Sequence, residues 1–446
     1  MHIVTDSSPN DSNGDDDDIF AATAEGFQHM LEMLGGAQAP SWEQAAQVAA
    51  AIASNGVSEA NIDPLARISF EQLARVASLQ VAAATGFSLI ENGREIEVAL
   101  ITRTEWCSET LSAYRSLFEP LAGSLGGSIR LQMGELTEED VDQIRQFLPP
   151  GANLDLSKLV SALQGAFGPA LAAGLAGTVV GQLGSRAFGT YDLPIPRLMP
   201  QHLSVIGTAL DEFSADWELP VEDLRLWMCL DELCHHAVLS VPHVGSQLSE
   251  LLTEHARSFS LNEEKIGNYL QQLDLDPSAL ASGSGLEAFQ AALMQPGFVL
   301  DALESSKQAE LRPRIDALVT AVEGYVAWTV DSIGSRLIGS YSQVAEALRR
   351  RRIEADQATQ FVERLFGLEL TAAKLDTGRA FIDGLVQRAG VEVLTELWAS
   401  RDSLPTPSDV VAPGLWLARM GIEISSELDL GEGSFEVPDF PDIEEQ

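Results

Sequence analysis

The stretch from Leu224 to Leu239 concentrates side chains that can do chemistry: Cys229, Asp231, Glu232, Cys234, His235 and His236. Advancing at about 100° per residue along a helix puts Asp231 and His235 on one side with Leu224, Met228, Val238 and Leu239. A carboxylate and an imidazole inside an apolar stripe need partners, because an unpaired polar group is costly to bury. At i and i+4 each is the other's first partner, and a metal ion is the second. The five residues Asp231-Glu232-Leu233-Cys234-His235 have the spacing of the His-Glu-x-x-His helix, with aspartate at the first ligand position. In that pattern two ligands one turn apart face one ion, and the glutamate between them reaches the water held on it. Spacing alone is weak evidence here, since Asp-Glu-x-x-His arises readily by chance in an acidic chain.

A rival set is Cys229, Glu232 and His236 at i, i+3 and i+7, where Cys229 would be a soft metal ligand or a nucleophile with His236 as base. Nothing nearby identifies an oxyanion hole, and cysteine is often a small buried hydrophobe, the reading also taken for Cys107. His243 and His255 follow the helix and read as structural, while His29 and His202 have no ligand-like neighbours. Arg349 to Arg352 form a basic cluster. It reads as a solvated helical face balanced by Glu346, Glu354 and Asp356. The sharper alternative is a docking site for an acidic partner or for the chain's own acidic tail.

The elements that must position these groups are mostly helices. Thr102-Arg103-Thr104-Glu105 and Ser41-Trp42-Glu43-Gln44 are capping boxes. Thr137 to Asp140 place acids in a first turn, Ser260 to Glu263 open another helix, and Pro220 suits the first turn of the helix holding Leu224 to Val241. The best strand candidate is Glu95 to Thr102, so the fold class is mainly α with any sheet small. Length, 446 residues at 45% hydrophobic, gives a globular body with two or three domains. The apolar run Ala166 to Leu183 is broken by glycines and Pro169. It is read as a buried helix whose Gly177 and Gly181 admit another backbone, with a membrane span as the lesser alternative. With 66 acidic against 27 basic residues the net charge is -39, which disfavours nucleic acid and anionic lipid as partners. Three scattered cysteines and an N-terminus without a basic or apolar signal region point to the cytoplasm. The division expected is a disordered acidic tail over 1–18, a helical region over 19–180, the region of the degenerate motif over 181–422, and an acidic tail over 423–446.

The surroundings of the motif add a resemblance. Gly181 to Pro196 looks like the segment preceding the zinc helix in a largely actinobacterial family of zincin-like metallopeptidases, labelled as hydrolases or zinc-dependent metalloproteases. Trp227, Val241-Pro242, Val322-Glu323-Gly324-Tyr325, Asp331, Arg351-Arg352, Leu365 to Glu369, Trp398 and Leu404-Pro405-Thr406 also match in order and spacing. The resemblance covers roughly residues 20 to 420 and implies a zincin-like fold with an N-terminal helical region. It implies Glu232 as general base, and His235 and Glu323 as zinc ligands, with Asp231 where the family has histidine and Tyr325 where it has a second one. Both departures fall at the expected metal site. The chain is therefore read as a catalytically inactive homologue that binds or regulates a protein or peptide partner, with no cofactor. Tyr325 is expected to place its hydroxyl in the vacated region. The alternative is a zinc-dependent peptidase with Asp231, His235 and Glu323 as ligands. A deazaflavin-biosynthesis label attached to such proteins is association only, since the chain has no flavin or nucleotide motif. Oligomeric state is left open.

Overall fold

The computed structural model describes residues 42–91, 93–133, 173–197, 200, 202–260, 305–353 and 357–423. Helices α1 (Trp42–Ala53) and α2 (Pro64–Thr85) precede β1 (Ile90–Glu91), β2 (Arg94–Glu95), β3 (Val98–Ile101) and α3 (Arg103–Met133). Helix α4 (173–184) leads to a long loop, then β4 (Leu203–Ile206), α5 (Gly207–Asp216), α6 (Val221–Leu239) and α7 (Pro242–Arg257). The chain continues with α8 (Ser306–Leu337), α9 (Tyr341–Ile353), α10 (Gln357–Leu365) and α11 (Ala372–Ala389), and closes with three short helices, α12 (Val393–Leu397), α13 (Pro407–Val411) and α14 (Pro413–Met420). The fold is mainly α, as the sequence predicts. Its sheets, among the described residues, are an antiparallel β1–β2 pair and a parallel β3–β4 pair running from Val98↔Leu203 to Ile101↔Ile206.

Local chemistry explains where several helices begin. The Asp63 carboxylate accepts the Leu65 N–H at 3.0 Å ahead of Pro64, and α2 ends on left-handed Gly86. At α3 the expected capping box is present: the Thr102 hydroxyl accepts the Glu105 N–H at 3.2 Å and the Glu105 carboxylate accepts the Thr102 N–H at 2.8 Å. Ser305 and Gln308 cap α8 in the same way. Pro220 is the N-cap of α6, one position before the first turn, and α6 stops at Leu239 so that Pro242 can open α7. Ser41, Thr137 to Asp140, Leu261 to Glu263, His29 and both expected tails lie outside the described residues, except Glu423.

The glycines of α4 do what the sequence suggests. A Cβ on Gly177 would stand 2.9 Å from the Ala45 carbonyl oxygen, and one on Gly181 would stand 2.7 Å from the Ile52 Cβ, so α4 lies directly on α1. Among the described residues no helix is long and apolar enough to cross a membrane. Helix α6 differs from expectation. It is not a surface helix with one apolar stripe, because from Leu224 to Leu239 only Trp227 and Asp231 escape full burial. Helices α2, α7, α8 and α9 all pack against it. A helix covered on every side carries apolar residues all round, which masks a periodic signal.

One crossing fixes the depth of the site. Helices α8 and α11 meet at Gly324 and Gly378, where a Cβ on either residue would run into the other helix's backbone. Glu323 is the residue before this contact, so the crossing sets how far its side chain can reach. Gly378→Ala is therefore expected to cost about 3 kcal/mol, the upper end for an overpacked core. The check is denaturant unfolding, which should show a lower midpoint with an unchanged slope.

Candidate functional site

The site forms where α6, α8, α9 and the loop after α4 converge. On α6, the His235 ring is 1% exposed and engaged at both nitrogens. Its Nδ1 donates to the Asp231 carbonyl oxygen at 3.0 Å and lies 3.4 Å from Asp231 Oδ2, while Nε2 lies 3.3 Å from Glu323 Oε1 on α8. The other oxygen of Glu323 accepts from Arg352 of α9 at 2.7 Å. Asp231 and His235 thus pair as their i, i+4 spacing predicts, and Glu323 joins them from a distant helix.

The loop supplies the remaining partners. Glu232 is buried, and its carboxyl oxygens accept the Tyr191 N–H at 3.1 and 3.3 Å. Gly189 makes room for this, because a Cβ there would collide with the Glu232 carboxyl group. The loop is pinned by Trp106, whose indole N–H donates to the Gly189 carbonyl at 2.8 Å, and by Arg351, stacked 3.7 Å from the Phe188 ring centroid. The Tyr191 ring stacks on His235 with centroids 5.7 Å apart, and its hydroxyl pairs with His236 Nδ1 at 3.1 Å.

Burial and neighbouring charge set the protonation states. Burial and the adjacent Asp231 carboxylate push Glu232 up to about 8, against the pull of the Tyr191 N–H. Burial would lower His235, but Asp231 and Glu323 lift it well above the usual imidazole range. Burial would raise Glu323, yet Arg352 and His235 bring it down to about 2. His236 is drawn down to about 4 by burial and is neutral. His235 and Arg352 therefore flank the Glu323 carboxylate as cations, and Asp231 lies on the far side of the imidazole ring.

The donor set does not fit a three-ligand metal centre. In the His-Glu-x-x-His pattern both ligands on the helix address the same ion. Here the Asp231 carboxylate lies beside Nδ1 of His235, whereas Glu323 lies beside Nε2, at the other end of the ring. Among the described residues, no three or more His, Cys, Asp or Glu side chains come together in a way that could hold a metal ion.

The other candidates fall as follows. Tyr325 does not enter the region expected for it: it is 4% exposed, packs edge-on to Trp398 at 5.5 Å, and makes no hydrogen bond to Asp231, Glu232 or Glu323. Cys229 is fully buried and its thiol is pushed far up by burial, so it is not placed as a nucleophile. Glu232 and His236 are connected through Tyr191 and not through Cys229. His243 bonds the Trp398 carbonyl, and His202 pairs with Glu109, both away from the motif. The arginine cluster divides. Arg349 and Arg350 pair with Glu346 on the surface, as expected, while Arg351 and Arg352 turn inward. Sequence reasoning did not find Arg352 or Tyr191 as members of the site, although both lie in segments that carry the resemblance.

Asp231, Glu232, Glu323, Arg351 and Arg352 border a cleft of about 400 Å³ whose apolar wall includes Trp227, Val326, Val330 and Leu375. A family model described as zincin-like metallopeptidase matches residues 41–417. The crystal structure of a provisionally assigned hydrolase with a novel fold from Chloroflexus aurantiacus is similar, with a TM-score of 0.54 and 20% identity over 86% of this chain and 99% of that one. At that identity the likeness is one of fold. Among curated proteins none is significantly similar. With most of its length matched in this way, the chain belongs to the zincin-like metallopeptidase family.

Proposed function

We propose that this chain is a degenerate member of its family that acts without catalysis, as a binding or regulatory protein whose cleft holds a peptide segment of a partner. The observation that carries the reading is the set of contacts at His235. Both ring nitrogens are engaged by carboxylates, and Glu323 is neutralised a second time by Arg352. Each charged group of the motif is thus already satisfied by a neighbour, which is what stability requires of charges out of water. The cleft beside the motif has the mixture of apolar wall and a few directed polar groups that binding sites use.

A second reading has one observation in its favour. The 3.3 Å between His235 Nε2 and Glu323 Oε1 is also the separation of two ligands on one tetrahedral ion, given bonds of about 2.0–2.2 Å. On that reading the chain is a zinc-dependent hydrolase in which His235 and Glu323 would hold the ion, Asp231 would have to turn away from Nδ1 to join them as third ligand, and Glu232 would be the base.

Elemental analysis of protein purified without chelator, before and after incubation with zinc, separates the two. Substoichiometric metal that is unchanged in His235→Ala is the expected result; stoichiometric zinc lost in that variant would reverse the assignment. Asp231→His should raise zinc uptake above that of the unaltered chain in the same assay. Arg352→Met leaves Glu323 short of a cation and is expected to cost about 2–3 kcal/mol in thermal or chemical unfolding. This is less than a fully buried pair would lose, because the Arg352 side chain is 35% exposed.

A further inference from the structure

Helix α2 presents an apolar face that the other described residues leave uncovered. Leu65, Ile68, Val76 and Leu79 are 74%, 53%, 43% and 69% exposed. With exposed Gln72 and Ala83 they fall within about 80° of the helix circumference, spaced 3, 4, 4, 3 and 4 residues apart. This is a narrow seam of the kind one helix offers another. The opposite face of α2, including Phe70, Ala74, Ala77 and Val81, is buried in the core, so the seam is held rigidly outward.

We propose that the seam is the contact between two copies of this chain, crossing antiparallel about a twofold axis near residues 73 and 74. The charges argue for a second copy in that orientation. Glu71 and Arg75 lie on the same flank of the seam, both exposed, and neither is ion-paired with another described residue despite their i, i+4 spacing. The other flank carries Ser69, Gln80 and Ala84, and Ser69 donates to Glu222 of α6. An antiparallel crossing sets like flanks against each other and so brings Glu71 and Arg75 of the two copies together, whereas a parallel one would hold them apart. With Ile68 opposite Leu79 of the second copy, Glu71 of each copy comes within one residue's rise of Arg75 of the other. The twofold axis makes that pair twice. A contact this self-complementary is what an isologous interface requires.

The size of the seam sets its strength. A 22-residue helix is about 33 Å long, and one such helix pair buries on the order of 1,000 Å² in total, the low end for a specific interface. The dimer is therefore reversible and concentration-dependent.

Sedimentation equilibrium on the full chain over a wide concentration range tests this, with circular dichroism to verify folding of each variant. The expected result is a monomer–dimer equilibrium that Leu79→Glu shifts to monomer. Glu71→Arg and Arg75→Glu alone should each weaken it on the order of tenfold, by turning two attractive pairs repulsive. Together they should restore it. Three results would overturn the proposal: a monomer at every concentration, a dimer indifferent to Leu79→Glu, or a double exchange that fails to restore association. Dimerisation that starts only on deleting residues 1–41 would overturn it too, and would assign the seam to the chain's own N-terminal segment.

Discussion

Glu323 lies out of water between His235 and Arg352, and the site is organised around holding that carboxylate there. Desolvating a carboxylate costs several kcal/mol, which is offset only when the counter-charges sit at hydrogen-bond distance. The two cations come from α6 and α9 and the anion from α8, so three helices are tied together at one point. Asp231 then holds the far side of the imidazole ring. Loss of any one group leaves an opposite charge exposed to an apolar interior. This makes the cluster a structural requirement whether or not it ever meets a ligand.

How much of this was legible in the sequence depends on how local the cause is. The capping box at Thr102, the pairing of Asp231 with His235, the strand at Val98–Ile101 and the close approach permitted by Gly177 and Gly181 are short-range or spacing effects, and each can be read from the residues. The inward turn of Arg352 was not. Four consecutive arginines look alike in one dimension, and which of them faces Glu323 depends on how α9 lies against α8. Tyr191 was hidden for a related reason, since it meets Glu232 through its backbone N–H, a group every residue but proline carries. Periodicity failed at α6 because a helix buried on all sides has no polar face to contrast with.

Asp231 and Tyr325 have unequal structural weight. Asp231 stands in the cluster against Nδ1 of His235, so its effect is local and electrostatic. Tyr325 sits on the core side of α8, where its ring packs on Trp398 and extends the apolar interior. One residue contributes to the charge at the site and the other packs what surrounds it. Glu232 meanwhile keeps a bound position, clasped by the loop through the space that Gly189 leaves open.

The contact between Gly324 and Gly378 bears on how such a site can change over time. Because neither helix backbone can move apart without opening a void or closer without a clash, the spacing between α8 and α11 is not a quantity that small substitutions can tune. Descent with modification is then confined to the side chains that project from a fixed frame. Positions 231, 325 and 352 project from that frame, so an exchange at any of them is felt as a change of charge or packing while the frame keeps its geometry. A frame of this kind confines change to the chemistry of the site and leaves its architecture alone.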